Sequence, residues 1–240
     1  MSKNTIPILM YHSISKPIKG SKMRSLSVPP GLFQKHMQIL NFLGYKGVAL
    51  SEIPNLLLNH KASKYVGITF DDGYLDNFEN ALPVLKKYGF SATCFIVTNL
   101  IGKYNSWDLS KGISQKKLMN EENILQWVKS GMEIGSHTLN HNKLTSLLES
   151  DQKKEIQNSK NFLEKKFHLN IDTFCYPYGD FDTNTVKIVK DAGYKVATSV
   201  KRGMASSEDD LHTLPRIPIT HRTYLPQFLI KIFTNYENKK

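Results

Sequence analysis

Apolar residues along this chain occur in short continuous runs, separated by longer segments in which apolar positions recur every three or four residues. Short runs are typical of buried strands, and the wider spacing is typical of helices that bury one face. The predicted strands are Ile6–Tyr11, Gly47–Leu50, Val66–Phe70, Ala92–Val97, Met132–Ser136, Thr173–Tyr176 and Val196–Val200, with Leu214–Ile219 as an eighth candidate. About seven strands that alternate with helices indicate an α/β fold with parallel pairing.

Helical spacing is clearest in three of the intervening segments. One follows Pro29 and Pro30, one ends before Gly89, and the third is the lysine-rich segment from Asp151 to Phe167. Proline at the start of a helix and glycine just past its end are common boundary signals. Strands joined by helices in this way form either a closed (β/α) barrel or a doubly wound sheet.

Polar residues with catalytic potential follow directly after four of the predicted strands. They are His12, the pair Asp71-Asp72, His137 and the segment Tyr176–Gly179. The carboxyl ends of all strands of a parallel barrel open on one face, so these residues would converge there. We therefore expect a (β/α) barrel of about seven parallel strands, built as one domain over residues 1–240.

The aspartate pair, together with His137 and His141, has the ligand types of a transition-metal site. Adjacent aspartates on an extended backbone point in different directions, so one can bind a cation while the other stays available as a base. Two histidines four residues apart reach the same ion if the chain turns helically after the first. Asp-Asp-Gly alone is an ordinary turn signal and a lone histidine pair is weak evidence. Together they predict a hydrolytic metal site.

The composition is that of a globular protein, with 40% hydrophobic and 22% charged residues in a chain of 240. The apolar run Ile6–Tyr11 is too short for a signal peptide or a membrane span, so we expect a cytoplasmic protein. The net charge of +11 comes mainly from scattered lysines, which favours peripheral contact with an anionic membrane surface over a nucleic-acid groove. Cys94 and Cys175 are expected to be free thiols, with Cys94 inside a buried strand.

The three polar motifs together resemble the polysaccharide deacetylases, which are the NodB-homology domains of carbohydrate esterase family four. Thr69–Tyr74 resembles the first motif of that family, Ser136–His141 the second and Phe174–Gly179 the third. The resemblance spans most of the chain. It implies a distorted (β/α) barrel, one divalent metal ion such as zinc, and hydrolysis of N-acetyl groups on amino sugars.

The resemblance also implies a role for each matching residue. Asp72, His137 and His141 would hold the metal ion, and Asp71 would be the general base. The backbone N–H of Tyr178, which follows Pro177 in the third motif, would help to stabilise the oxyanion of the transition state. Mixed nitrogen and oxygen ligands suit zinc, cobalt or nickel better than calcium or magnesium.

A general acid is needed as well, because an amine leaves poorly unless it is protonated. The usual family acid is a histidine in a late apolar motif, and no late segment matches it clearly. The segment Ile8–Ser13 has the character of that motif at the start of the chain, as in the permuted poly-N-acetylglucosamine deacetylases. This resemblance implies that His12 is the acid; the alternative is a histidine that caps a strand end.

The chain departs from the family pattern in two places. The third motif normally carries an arginine that orients the base, and Cys175 occupies that position here. Arg216 is the only arginine on a predicted strand, so we expect its guanidinium to reach Asp71 in the space beside Cys175; a structural surface role is the alternative. No segment can be assigned to the fourth motif, which orients the acid.

Several alternatives stay open at the level of sequence. Trp107 is either a platform for sugar stacking beside Pro177 and Tyr178 or part of local packing. The substrate is expected to be an N-acetylated carbohydrate, on a glycan, oligosaccharide or lipid-linked saccharide. A small non-sugar amide is the alternative substrate, and a catalytically weak glycan-binding protein is the alternative function. The sequence does not indicate an oligomeric state.

Overall fold

Seven parallel strands close into a barrel in the computed structural model, which describes residues 4–22, 24–111, 113, 115–234 and 236–239. The described strands are β1 (Thr5–Ile6), β2 (Ile8–Tyr11), β3 (Lys46–Val48), β4 (Tyr65–Phe70), β5 (Thr93–Ile96), β6 (Glu133–Ser136), β7 (Thr173–Cys175), β8 (Val196–Arg202), β9 (Ala205–Ser206) and β10 (Leu214–Pro218). Around the barrel the order is β2, β4, β5, β6, β7, β8 and β10, and β2 pairs with both β4 and β10. The predicted barrel is confirmed, and the eighth candidate strand is the one that closes it.

The predicted strands differ from the structure by one or two residues at their ends, and for two of them the local cause is visible. The segment Ile6–Tyr11 is divided at Pro7, which has no N–H for strand pairing, and β1 pairs antiparallel with β9 instead of joining the barrel. The segment Gly47–Leu50 stops as a strand at Val48, because the Glu52 carboxylate accepts a hydrogen bond from Ala49 N (3.1 Å) and draws the chain into a 3₁₀ turn. Accordingly, β3 pairs only with the first half of β4.

Helices lie between most successive strands of the barrel. They are α1 (Pro30–Phe42), α2 (Ile53–Leu58), α3 (Leu82–Tyr88), α4 (Glu121–Lys129), α5 (Glu149–Lys153), α6 (Ser159–Phe167), α7 (Thr183–Asp191) and α8 (Leu225–Phe233). The predicted stop at Gly89 is confirmed, with φ of +64°. The segment predicted as one helix from Asp151 contains a π-helical turn at Lys154–Asn158 between α5 and α6. A second π turn, Asn77–Ala81, precedes α3.

Alternation along the strands divides the core into two layers. Val66, Ile68 and Phe70 belong to a large cluster that also contains the inner faces of the surrounding helices. Phe95 and Cys175 belong to a second, smaller cluster. Space between the strands is tight, since a Cβ on Gly135 of β6 would lie 2.5 Å from Thr173 Oγ1. A packed barrel of this kind leaves its open strand ends as the place for a site.

Among the helices of the described residues, none combines the length and the apolar character that a membrane span requires.

Candidate active site

The polar residues predicted at strand ends do meet at one end of the barrel. His12 follows β2, Asp71 and Asp72 follow β4, and His137 follows β6. They line a pocket of about 70 Å³, whose remaining walls are Leu26, Trp107, His141, Tyr176, Tyr178 and Val200. The convergence follows from parallel pairing, because every strand of the barrel ends on this face.

Three buried side chains in this pocket form a compact group of metal-ligand type. The ligand atoms of Asp72, His137 and His141 all lie within 4.8 Å of one another. Asp72 Oδ1 is 3.5 Å from His137 Nε2 and 3.3 Å from His141 Nε2. His137 Nδ1 lies 2.7 Å from the backbone oxygen of Cys175, which can only accept, so Nδ1 carries the proton. His137 therefore faces Asp72 with Nε2, the ring nitrogen that could bind a metal ion.

The backbone around these ligands differs from the predicted conformation. Asp72 is not extended but has a φ of +73°, and it is this left-handed turn that separates its side chain from that of Asp71. The chain after His137 is not helical either, because Thr138 and His141 have φ values of +66° and +61°. Residues other than glycine adopt such values at a cost of about 1–3 kcal/mol each, and surrounding contacts must hold them there.

Asp71 is held by the arginine that the sequence placed on the last strand of the barrel. Arg216 Nη1 lies 2.7 Å from Asp71 Oδ1, and Nη2 lies 2.8 Å from Oδ2. Arg216 Nη2 is also 3.3 Å from Cys175 Sγ, so the guanidinium fills the space beside the short thiol side chain. Arg216 is fully buried, which excludes the alternative of a surface role. A bidentate pair fixes both the position and the orientation of the carboxylate.

This pairing sets the charge state of Asp71. Burial raises the pKa of Asp71, but the Arg216 guanidinium and His12 together lower it by more than burial raises it. The pKa therefore lies below its ordinary value. For Asp72, burial likewise raises the pKa, while contacts with His137 and His141 bring it well below the ordinary value. Both carboxylates are therefore ionised at neutral pH.

His12 lies beside Asp71 and lines the same pocket as the metal-type group. Its Nε2 is 3.7 Å from Asp71 Oδ2, and its side chain keeps 15% of its surface exposed. The imidazoles of His137 and His141, by contrast, are at most 6% exposed. His12 is thus close enough to share a ligand with Asp71 while retaining access to solvent.

A polar cluster that the sequence analysis missed holds the segment after His12. Asp76 accepts hydrogen bonds from Ser13 Oγ (2.6 Å) and Ile14 N (2.9 Å). The ammonium of Lys116 donates to Ser13, Ser15 and Ser27 and lies 3.6 Å from Asp76 Oδ2. Burial lowers the pKa of Lys116, although Asp76 acts in the opposite direction. Asp76 lies two positions beyond the first motif, and this closeness was the only signal in the sequence that could have pointed to it. No sequence signal pointed to Lys116.

The three residues expected to touch substrate are placed differently. Trp107 packs its ring on His141, with 4.4 Å between centroids, so local packing is part of its role. Tyr178 is 44% exposed and lines the pocket. Pro177 is buried and lies outside the residues that line the pocket, so its place is in the turn that presents Tyr178.

A larger cavity of about 530 Å³ adjoins the small pocket and shares Trp107, His141 and Tyr178 with it. Its other walls are Leu100, Ser106, Asn140, Asn142 and Lys143. This volume lies in the range of ligand-binding clefts. Aromatic surface combined with amide and ammonium groups suits a polar ligand with hydroxyl groups and apolar ring faces.

Known proteins are similar to this chain in both sequence and fold. The family model described as polysaccharide deacetylase matches residues 59–197. A Bacillus subtilis protein named as a polysaccharide deacetylase, YxkH, is 35% identical over 217 residues, which cover 90% of this chain and 71% of the relative. The chain belongs to the polysaccharide deacetylase family. It is accordingly a hydrolase that acts on N-acetyl amide bonds.

Two further proteins extend the likeness over nearly the whole chain. The poly-β-1,6-N-acetyl-D-glucosamine N-deacetylase of Staphylococcus epidermidis is 28% identical over 99% of this chain and 86% of its own length. The solved structure of the Streptococcus pyogenes deacetylase PplD, in complex with acetate, superposes with a TM-score of 0.84 at 29% identity. That superposition covers 96% of this chain and 99% of the other.

Proposed function

We propose that this protein is a divalent-metal-dependent N-deacetylase that removes acetyl groups from N-acetylated amino sugars within a glycan, acting as a single catalytic domain. The observation that carries the proposal is that an ionised, arginine-held Asp71 lines the same pocket as the three-residue metal-type group and lies beside His12. A protein that only binds glycans has no use for a base held in this way. The names of two relatives, one a poly-N-acetylglucosamine deacetylase and one a deacetylase with bound acetate, support the same chemistry.

The residues present fit a metal ion. Asp72, His137 and His141 offer one carboxylate oxygen and two imidazole nitrogens within 4.8 Å of one another, a set that suits zinc, with cobalt or nickel as alternatives. Three protein ligands leave room in the coordination sphere for water and substrate. When bound, such an ion acts as a Lewis acid that lowers the pKa of water and polarises the acetamide oxygen.

The protein's own residues would supply the proton transfers. Asp71 is ionised and its orientation is fixed by Arg216, so it can accept the proton of the attacking water without first losing one. His12, whose Nε2 lies 3.7 Å from Asp71 Oδ2, would donate a proton to the nitrogen of the departing amine. The backbone N–H of Tyr178 is assigned to the oxyanion by the family resemblance, and Tyr178 does line the pocket.

The sizes of the two cavities indicate how a sugar would lie. The small pocket holds about 70 Å³, roughly the liquid volume of two water molecules, which suits an acetamido group but not a sugar ring. The ring would therefore rest in the adjoining cavity, against Trp107 and Tyr178. Aromatic rings at such sites pack on the apolar faces of sugars. A substrate with neighbouring sugar units would use the rest of the cavity.

Acetate release from a panel of substrates tests the proposal directly. We expect acetate from N-acetylglucosamine oligosaccharides, loss of activity after treatment with a chelator, and recovery on addition of zinc, cobalt or nickel. Release from small non-sugar amides alone would support the alternative hydrolase. Binding of oligosaccharides without acetate release, in protein loaded with any of these ions, would support the weak glycan-binding alternative.

The place of action in the cell stays a prediction, namely a cytoplasmic protein that contacts an anionic membrane surface. Each well-placed lysine near such a surface contributes about 1 kcal/mol. The protein should therefore sediment with phosphatidylserine vesicles at low salt and dissociate as salt screens the interaction. Recovery of the native protein outside the inner membrane would contradict the cytoplasmic assignment.

A further inference from the structure

A buried carboxylate that has no part in the proposed chemistry contacts the loop that carries His141. Glu155 is only 6% exposed. It belongs to the π-helical turn Lys154–Asn158 between α5 and α6. Glutamate is rarely buried to this extent unless its charge is matched by hydrogen-bond donors.

Within the described part of the chain, the hydrogen bonds that Glu155 accepts come from the loop carrying His141. Its Oε2 accepts from the backbone N–H groups of Leu139 and Asn140, both at 3.0 Å. Its Oε1 accepts from the side-chain amides of Asn140 (2.6 Å) and Asn142 (3.0 Å). One carboxylate therefore binds three of the residues that surround His141.

These hydrogen bonds replace those that a helix would have supplied to the loop. Thr138 and His141 adopt left-handed backbone conformations, so residues 138–141 lack regular helical pairing. On the other side, the loop carbonyls of Thr138 and Leu139 accept from Thr98 N (3.2 Å) and Asn99 N (2.9 Å). The loop is thus held between the chain after β5 and the carboxylate of Glu155.

The π turn places this carboxylate. A π turn adds one residue to a helical turn, and such turns are frequent at functional sites. Here the adjacent residues Glu155 and Ile156 are both buried, Ile156 in the large apolar cluster and Glu155 against the loop. The irregular turn therefore lets one helix contribute to the core and to the site at the same position.

We propose that Glu155 is a positioning residue for the metal ligands, acting through the loop of residues 138–142 to hold His141 beside Asp72 and His137. This inference rests on the proposed function, because it assumes that these three residues bind a metal ion. Residues that orient ligands from outside the coordination sphere typically change metal affinity by about 10–100-fold when replaced. Glu155 itself lines neither the pocket nor the adjoining cavity, so it acts through the loop that it holds. Asn140 and Asn142 of that loop also line the cavity, and zinc affinity is therefore the readout that separates an effect on the metal ligands from an effect on the substrate.

The test is Glu155→Gln, with zinc affinity measured by chelator competition on the full chain. A glutamine side chain can accept from one pair of donors only and turns its own N–H groups toward the other pair. We expect zinc affinity to fall about 10–100-fold. The control is Glu164→Gln on the adjoining helix α6, which removes a carboxylate that binds Ile171 N (3.1 Å) and Lys160 Nζ (2.9 Å), away from the loop. Its zinc affinity should equal that of the wild type.

Hydrogen exchange of the metal-free protein separates positioning from general destabilisation. Glu155→Gln should speed exchange at residues 138–142 while the strands exchange as in the wild type, and Glu164→Gln should leave this loop unchanged. If Glu155→Gln fails to fold, Asn142→Ala removes one of the four donors at an exposed position and should weaken zinc binding by a smaller factor in the same direction. Zinc affinity or loop exchange equal to the wild type in the folded variant would overturn the inference.

The inference and the proposed function fail in different ways. If the wild type binds no divalent ion, the proposed function fails and the inference falls with it. If the wild type binds zinc and releases acetate while Glu155→Gln does both equally well, the function stands and the role of Glu155 is refuted.

Discussion

The metal-type group, here called the metal side, and His12, here called the acid side, are built in different ways. On the metal side, Asp72, His137 and His141 are almost completely buried. The Cys175 carbonyl holds His137, and the Glu155 carboxylate holds the loop that carries His141. On the acid side, His12 keeps part of its surface exposed and its contact with Asp71 is 3.7 Å long. The difference matches the tasks proposed for the two sides. Ligands bind an ion best when they are already in place, whereas an acid must regain a proton from solvent in each cycle.

The strongest test of this comparison replaces the adjacent aspartates separately. Asp72→Asn should lose metal affinity and with it all measurable turnover, because it removes the only charged ligand of the group. Asp71→Asn should keep the metal and lose about 10²–10⁴ in kcat, since the base is absent. Metal content by elemental analysis, beside kcat for acetate release, checks both. Equal metal loss in the two variants would show that the two sides are not separate.

The acid side is tested next by His12→Ala. We expect full metal content and a loss of about 10²–10⁴ in kcat on an N-acetylated oligosaccharide, because the amine departs unprotonated. On p-nitrophenyl acetate, whose leaving group needs no proton, the same variant should lose far less. A similar loss on both substrates would assign His12 to positioning, or to the capping of a strand end, rather than to proton donation.

A smaller effect is expected from the cluster that holds the segment after His12. Lys116→Met removes the ammonium shared by Ser13, Ser15, Ser27 and Asp76. Without this cluster the segment after His12 is held less firmly, and His12 can move by a fraction of an ångström from its working position. Such a displacement should lower kcat by about 10-fold while metal affinity is unchanged. Lys103→Met is the matched control, since Lys103 is exposed and donates only to Asn99 O within the described contacts. Unchanged kcat in Lys116→Met would leave the cluster with a structural role alone.

The smallest effect on turnover is expected at His36. It contacts Thr223 O (2.7 Å) and the hydroxyl of Tyr11 (3.0 Å), the residue that precedes His12. Burial lowers its pKa to about 4, and the hydrogen bond to Thr223 only partly offsets this. The stability that neutral His36 contributes is complete above pH 6.5 and is lost as pH falls toward 4, because the unfolded chain takes up the proton first. The loss should amount to roughly 3 kcal/mol.

Urea unfolding at several pH values measures this contribution. In the wild type the free energy of unfolding should fall between pH 6.5 and 4 more steeply than in His36→Gln, because the variant has no titrating side chain at position 36. Activity at neutral pH should be similar in the two proteins. Parallel pH dependences would show that His36 does not titrate with the pKa expected from its burial.

The sequence by itself determined the barrel, the face on which the site lies and the group of residues that meets there. Strand and helix periodicities are local properties of the chain, and parallel closure places every strand end on one face. For the same reason the motif residues His12, Asp71, Asp72 and His137 were found together. Even Arg216, distant in sequence, could be predicted beside Cys175, because it is the only arginine on a predicted strand and the short thiol leaves space for its guanidinium.

The tertiary structure alone decided how these residues are held. The left-handed turns at Asp72, Thr138 and His141 cannot be inferred from residue types that usually avoid them. Glu155 and Lys116 belong to none of the motifs found in the sequence, yet they form hydrogen bonds with loops that are distant or non-helical. Such contacts depend on the paths of loops in space, and hydrophobic periodicity carries no information about loop paths because loops bury few apolar side chains.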